Sequence, residues 1–418
     1  MKYHQLFKIL KNILRILAQL TLAKYKPSVI GITGSAGKTS TKEAVYTVLK
    51  EERKVRRSAG NFNNEIGVPL TILGNYSEIK GMFFWPKVFL KATKQLIFRN
   101  KDYPEILILE LAADKPGDIH YLVELTRPSI GIITAIGKVP VHIEHYPNHQ
   151  SVAREKGKLI ENLPAKGFAI LNCDDEVVWG LKNKTRAHVI SYGFKEDSDI
   201  QIFGLEYKVN KDGFPEGMSF KIQYGNILVP FRLNNTLGKP QVYAAAAAAS
   251  VGITFGINLV KISEALEKYQ PIEHRMNVKK GIKNTVVLDD CYNASPLSMN
   301  AALETFKEIP AKRRVAVLGD MLELGDYTIE MHKEIGKKVI GIVDLLICVG
   351  TAAKLIAESA IKHGFDKSKV IIFNNSESAS KMIRKEIKEG DLILIKGSRA
   401  IKLEEVVKEI SWEYNLTS

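Results

Sequence analysis

Short, nearly unbroken apolar runs alternate along this chain with stretches whose apolar positions recur at helical spacing. Ile106–Glu110, Ile130–Thr134 and Phe168–Asn172 are runs of the first kind, the pattern of strands buried on both faces of a parallel sheet. Between them, Asp118–Leu125 and Ser151–Leu163 carry helical periodicity. Residues 198–232 differ: apolar and polar positions alternate, and Gly213, Gly217 and Gly225 mark turns, which predicts antiparallel hairpins at a sheet edge. Ala244–Ala249 predicts a helix whose small side chains permit close approach. Beyond a boundary near Pro271, βα units recur at Thr285–Asp290, Arg314–Gly319, Leu345–Gly350, Val370–Asn374 and Asp391–Lys396. The expected fold class is α/β. A central domain with a mostly parallel sheet spans 28–271, and a smaller Rossmann-like α/β domain spans 272–418.

Residues 1–27 form a separate unit. No acid occurs before Glu43, and Leu6, Leu10, Ile13, Leu14, Leu17 and Leu20 share a helical stripe away from Lys8, Lys11, Arg15 and Gln19. This is a basic amphipathic helix, too interrupted by charge to span a membrane and lacking the small-residue cleavage site of a secretory signal. The plainer expectation is packing on the central domain. Peripheral contact with an anionic membrane is the alternative, with Lys2, Lys8, Lys11, Arg15, Lys24 and Lys26 supplying the charge. Gly81–Pro86 with Val88, Phe89 and Leu90 raises the same question, and core or interdomain packing is expected there.

Composition narrows the function. The 418 residues, 45% of them hydrophobic, suffice for substantial cores, and the net charge of +14 invites anionic partners. Nucleic acid does not fit, because the lysines are dispersed and no aromatic–basic motif stands out. Cys173, Cys291 and Cys348 are scattered without a CxxC spacing, which suits a reducing, cytoplasmic setting rather than a zinc site or disulfide framework.

The chemistry starts at Gly31–Lys42, where an apolar strand leads through a glycine-rich turn into a helix. Such a turn cradles polyphosphate on backbone N–H groups at a helix N-terminus. Gly34, Ser35, Ala36, Gly37, Lys38, Thr39 and Ser40 are the candidate nucleotide loop, with Lys38 as a point charge and Thr39 as a Mg²⁺ ligand. The spacing departs from the common P-loop, since Ile32 stands where that pattern has glycine. Glu110 ends an apolar strand and should emerge beside this loop, a placement that suits a metal ligand. His142 and Glu144 follow another strand, and Lys156 begins as an ordinary helix lysine. Asp289–Pro296 again ends a strand in acids and opens a helix, which marks a nucleotide or substrate site.

Several runs together resemble the Mur ligase family in its D-alanyl-D-alanine-adding, MurF-type branch. They are Thr33–Glu43, Asn61–Leu70, Asp289–Pro296, Leu318–Asp326 and Leu394–Arg399, in family order from about residue 28 onward. The resemblance implies ATP as cosubstrate and two Mg²⁺ ions held by Thr39, Glu110, His142 and Lys156, the last carried as a carbamate. It also implies that Arg275 reaches toward the phosphates, that Asp290, Tyr292 and Asn293 bind nucleotide, and that Asn63, Asn64 and Ser295 meet the peptide substrate. The implied reaction is amide-bond formation through an acyl phosphate, adding D-Ala-D-Ala to a muropeptide precursor in peptidoglycan synthesis. A monomer acting on small peptide substrates is expected.

Four departures qualify the resemblance, one of them a loop from Gly137 to His142 longer than is typical of the family. Members usually begin with a domain that grips a uridine-diphosphate sugar, whereas residues 1–27 stand before the central domain here. Ala36 replaces a polar loop residue. The family's Gly-x-His-Asn segment reads Gly238-Lys239-Pro240-Gln241, so its adenine-binding asparagine is missing, and Gln241 or Tyr243 is the candidate replacement. Two alternatives follow: the same chemistry on a lipid-linked or other non-UDP-linked carboxylate, and a nucleotide-binding module without ligase activity.

Overall fold

The structure, a computed structural model, describes residues 2–140 and 142–412, with the side chains of 2–4 and 6 outside it. The calls on Lys2 and Leu6 as side chains therefore lie outside the described residues.

Two sheets divide the chain. The first contains β1 (Ser28–Thr33), β2 (Val55–Arg57), β3 (Ile106–Glu110), β4 (Ile130–Ile133), β5 (Phe168–Asn172), β6 (His188–Gly193), β7 (Ile200–Val209), β8 (Pro215–Tyr224) and β9 (Ile227–Asn234). Their order is β2-β3-β1-β4-β5-β6-β7-β8-β9. All pairs are parallel as far as β7, and β8 and β9 then add antiparallel hairpins at the edge. Gly213 and Gly225 sit in the connecting turns, but Gly217 lies within β8, against the turn expected there. A side chain at Gly217 would strike the Leu233 carbonyl oxygen, and its φ of 147° accompanies a register shift in β7.

The second sheet contains β10 (Asn277–Lys280), β11 (Val286–Asp289), β12 (Arg314–Gly319), β13 (Leu345–Val349), β14 (Val370–Phe373) and β15 (Leu392–Lys396). Its order is β10-β11-β15-β12-β13-β14, parallel except for the antiparallel edge strand β10. The apolar runs read from the sequence are strands of these sheets, and all are buried between covering helices except the edge strand β14, where Ile372 is exposed.

The alanine run explains how the first sheet's helices close up. Ala244–Ala249 are all buried in the helix Lys239–Thr254. Beside them, a methyl group at Gly252 would come within 3.0 Å of Val48 on the helix Lys38–Leu49 and 2.7 Å of Ile262. Only small side chains let these helices meet so closely.

The N-terminal helix Lys2–Tyr25 packs through Leu14, Ala18 and Thr21, and Tyr25 stacks on Tyr103 at 4.1 Å. Its expected single stripe is split: Leu14 is buried, whereas Ile13 and Leu20 face outward with Ile9 and Ile16. The core packing expected for Gly81–Leu90 holds for Val88, but Met82, Phe83 and Leu90 are exposed. Among the described residues no helix is long and apolar enough to cross a membrane.

Candidate active site

β1 ends at Thr33, and the helix Lys38–Leu49 starts after a turn that bends at two glycines. Gly37 adopts φ 84°, and at Gly34 (φ 150°) a Cβ would collide with Thr134 Oγ1. Residues after β4 brace the loop from behind. Thr134 Oγ1 donates to the Ala36 carbonyl at 2.6 Å, while Ser35 N and Ala36 N donate to the Ala135 carbonyl at 2.6 and 3.2 Å. No described side chain caps the helix, so its first N–H groups stay open toward the cleft, a ready anion site. The Ser35 hydroxyl is buried beside them without a hydrogen-bond partner.

Two lysines crowd this loop. Lys38 Nζ donates to the Gly34 carbonyl at 2.8 Å, and Lys156 Nζ reaches the same oxygen at 3.3 Å. Burial depresses the Lys38 amine; the charge of Arg275 adds to this, and Glu110, Asp114 and Glu323 oppose it. Lys156 is only 1% exposed, and burial, aided by the charge of Lys38, pushes its amine down to about 7. The ordinary helix lysine of the sequence is thus a buried amine that is neutral above that pH.

Glu110 emerges at the end of β3 beside the loop. Its Oε1 accepts from Asn63 Nδ2 at 3.3 Å, and Lys42 Nζ stands 3.6 Å from Oε2. Oε2 is buried without a hydrogen bond. Lys42 Nζ balances the charge of Oε2 at 3.6 Å but leaves it without a hydrogen bond, and an oxygen with that capacity open fits a Mg²⁺ ligand. His142, in left-handed backbone at φ 63°, places Nδ1 2.9 Å from Glu323 Oε2 and Nε2 3.6 Å from Asp114 Oδ1. Glu323 comes from beyond β12, also at φ 63°, and its hydrogen bond with His142 holds its carboxyl below the usual range. A strained residue from each half of the molecule therefore meets the other across the cleft.

Among the described residues, the one group of His, Cys and acid ligand atoms all within 4.8 Å is His274, Asp289 and Cys291. It is a hydrogen-bonded clamp: His274 Nδ1 lies 2.8 Å from Asp289 Oδ2, and Lys279 Nζ is 3.5 Å from the same oxygen. Burial raises the Asp289 carboxyl, yet His274, Cys291 and Lys279 together hold it below the usual range. The clamp fixes His274 at φ 62°, its carbonyl accepts from Tyr292 N at 3.1 Å, and the Arg275 guanidinium lies 4.2 Å over the Tyr292 ring.

On the second sheet's side, Lys396 Nζ donates to Asp290 Oδ2 at 2.6 Å and to the Asn293 carbonyl at 3.0 Å. Arg275, Asp290 and Lys396 share a cavity of about 280 Å³ with Ala36, Gly37 and Ser40 of the loop. Neither candidate replacement for the missing asparagine is free. Gln241 donates to the Arg275 carbonyl at 3.2 Å and accepts from Tyr269 OH at 3.2 Å, while Tyr243 OH donates to Asp174 at 2.9 Å. Both Asn64 and Ser295 are engaged: Asn64 Oδ1 accepts from Ile66 N and Gly67 N at the entry to the helix Gly67–Leu73, and Ser295 caps the helix Pro296–Glu308. Lys42, Asp114, His274, Glu323 and Lys396 carry much of this geometry without any role read from the sequence. Lys42, Glu323 and Lys396 lie inside quoted runs and His274 beside Arg275; Asp114 offers no signal beyond nearness to Glu110.

The chain is similar to known proteins over most of its length. The Mur ligase middle domain matches residues 32–83 and 90–252, and the domain described as "Mur ligase, glutamate ligase domain" matches 274–399. The UDP-N-acetylmuramoyl-tripeptide–D-alanyl-D-alanine ligase of Bacillus subtilis is 31% identical over 401 residues, covering 95% of this chain and 79% of that one. The MurF ligase of Thermotoga maritima, solved in complex with ADP, superposes with a TM-score of 0.78 at 25% identity, covering 98% of this chain and 85% of that one. MurF of Acinetobacter baumannii shares the fold at a TM-score of 0.78 and 24% identity, covering 95% and 79%.

Proposed function

Because the chain belongs to the Mur ligase family, we propose that this ATP-dependent ligase joins D-alanyl-D-alanine to the peptide of a muropeptide precursor. The names of its relatives support that choice of substrates. The observation that carries the reading is a single cavity lined by the loop before an uncapped helix on one side and by Arg275, Asp290 and Lys396 on the other. We divide the chain accordingly into an N-terminal segment (1–27), a central domain (28–271) and a C-terminal domain (272–418).

The reaction has two steps. An oxygen of the acceptor carboxylate attacks the γ-phosphorus of ATP, the bond to the bridging oxygen breaks, and ADP leaves an acyl phosphate behind. The amine of D-Ala-D-Ala then attacks the acyl carbon, the carbon–oxygen bond to phosphate breaks, and the amine gives up a proton. Lys38 and the open N–H groups of its helix face the charge that builds on the phosphoryl oxygens, a task of positioning and electrostatics. Arg275 approaches that charge from the opposite wall, and closure of the cleft excludes the water that would hydrolyse the acyl phosphate.

Thr39, Glu110, His142 and a carbamylated Lys156 would hold two Mg²⁺ ions, which when bound neutralise the phosphoryl oxygens. Oε2 of Glu110, buried without a hydrogen bond and faced by Lys42 Nζ at 3.6 Å, supports that role. The depressed amine of Lys156 supports the carbamate, because a neutral amine captures CO₂ and releases one proton. Asp290, Tyr292 and Asn293 bind the nucleotide in this reading, and Asn63 stands by the peptide.

Phosphate release with ATP, UDP-N-acetylmuramoyl-tripeptide and D-Ala-D-Ala tests the function. Release that needs all three, with the amide product seen by mass, is expected. Release supported only by other carboxylates would shift the acceptor and overturn the substrate assignment.

A further inference from the structure

Two segments far apart in sequence pack directly on one another. Leu14 of the N-terminal helix shares a cluster with Val88 and Ala92 of the helix Phe84–Ile97. Gln95 Nε2 donates to Thr21 Oγ1 at 3.4 Å, and Lys24 Nζ donates to the Leu96 carbonyl at 2.8 Å. With their inner faces spent on this contact and on the core, both helices still carry apolar side chains outward. Phe83, Leu90 and Ile97 recur every seven residues along one line of the second helix, with Met82 and Phe98 at its ends, all 66–83% exposed. On the first helix Ile9, Ile13, Ile16 and Leu20 form a stripe, 40–56% exposed.

Within both segments the charge has one sign, although Glu65 and Glu124 on neighbouring elements pair with Lys11 and Arg15 of the first helix. Between Ile79 and Lys101 stand Lys80, Lys87, Lys91, Lys94, Arg99 and Lys101 with no acid, and no acid precedes Glu43. Lys87 and Lys94 alternate with Phe83, Leu90 and Ile97 on the same side of the helix. Protein interfaces exclude charge from their apolar centre. A bilayer surface instead accepts alternating lysine and apolar side chains, because lysine stems lie along the apolar layer while their ammonium groups reach lipid phosphates.

We infer that this helix pair docks on an anionic lipid bilayer, with Phe83, Leu90 and Ile97 entering the headgroup boundary. None of the outward apolar side chains lines the cavity that holds Arg275, Asp290 and Lys396, so docking is expected to leave the ligase chemistry intact.

Co-sedimentation of the full chain with phosphatidylcholine vesicles, with and without 30% phosphatidylglycerol, tests this. Binding to the anionic vesicles about tenfold above the neutral ones is expected, falling about tenfold between low and high salt. Leu90→Asp with Ile97→Asp should abolish it while phosphate release stays unchanged, and Leu90→Ser serves as the milder variant if the double one misfolds. Absence of vesicle binding, or equal binding by the variants, overturns the inference. Self-association of the full chain that the same variants dissolve, without vesicle binding, would overturn it in favour of a second copy.

Discussion

On the central-domain side of the cleft, the groups that face the anion are backbone N–H donors at the start of Lys38–Leu49, with Lys38 curled onto the loop that presents them. On the opposite side, Arg275, Asp290 and Lys396 are side chains held by other side chains or by a single carbonyl. The first wall is therefore set by chain direction and by glycines at Gly34 and Gly37, and it tolerates changes such as Ala36. The second stands on individual pairs, and each pair is a point of failure. The chain crosses to it at His274, clamped to Asp289, and the two halves share one apolar core.

The largest effect should come from the one side-chain charge on the backbone-built wall. Lys38→Ala should lower turnover on the order of 10³-fold with the fold intact, because no other group replaces a charge placed at the transferring phosphoryl. Near-normal phosphate release in a folded variant would remove the loop from the mechanism.

The side-chain wall is probed at Lys396. Lys396→Met leaves Asp290 facing an apolar neighbour, and losing one partner of a buried pair costs about 3–5 kcal/mol. Urea unfolding should show that loss, and adding Asp290→Asn should restore part of it. If the single and double variants are equally stable, the pair is not what holds that wall.

Lys156 gives a pH signature. Its folded amine lies near 7, below the ordinary 10.5 of the unfolded chain, so the unfolded state binds more protons between those values. Stability of the metal-free protein in CO₂-free buffer should rise from pH 7 toward 10.5. Lys156→Met should be the more stable protein at neutral pH, by a margin that is constant below 7 and shrinks as pH rises. A margin independent of pH would mean that the amine is solvated. In catalysis, Lys156→Ala should be nearly inactive and partly rescued by a short carboxylic acid.

The smallest effect tests the tolerance of the backbone-built wall. Ala36→Ser should change turnover by less than about threefold, in line with the small effects of half-exposed substitutions. A larger change would show that side chains of the loop matter as much as its N–H groups.

The sequence alone carried the α/β class, because buried parallel strands need continuous apolar runs, and Ile106–Glu110, Arg314–Gly319 and Leu392–Lys396 are such runs wherever they sit in the fold. It also carried the phosphate loop, since strand, glycine turn and helix are contiguous residues whose geometry is local. It could not show that Lys156 is a buried amine, because burial there depends on packing against a loop 122 positions away. Nor could it show that Gln241 and Tyr243 are spent on internal hydrogen bonds, that Glu323 meets His142, or that two amphipathic helices share one contact. Those are distances between segments remote in sequence, and only the packing of the two sheets and their helices determines them.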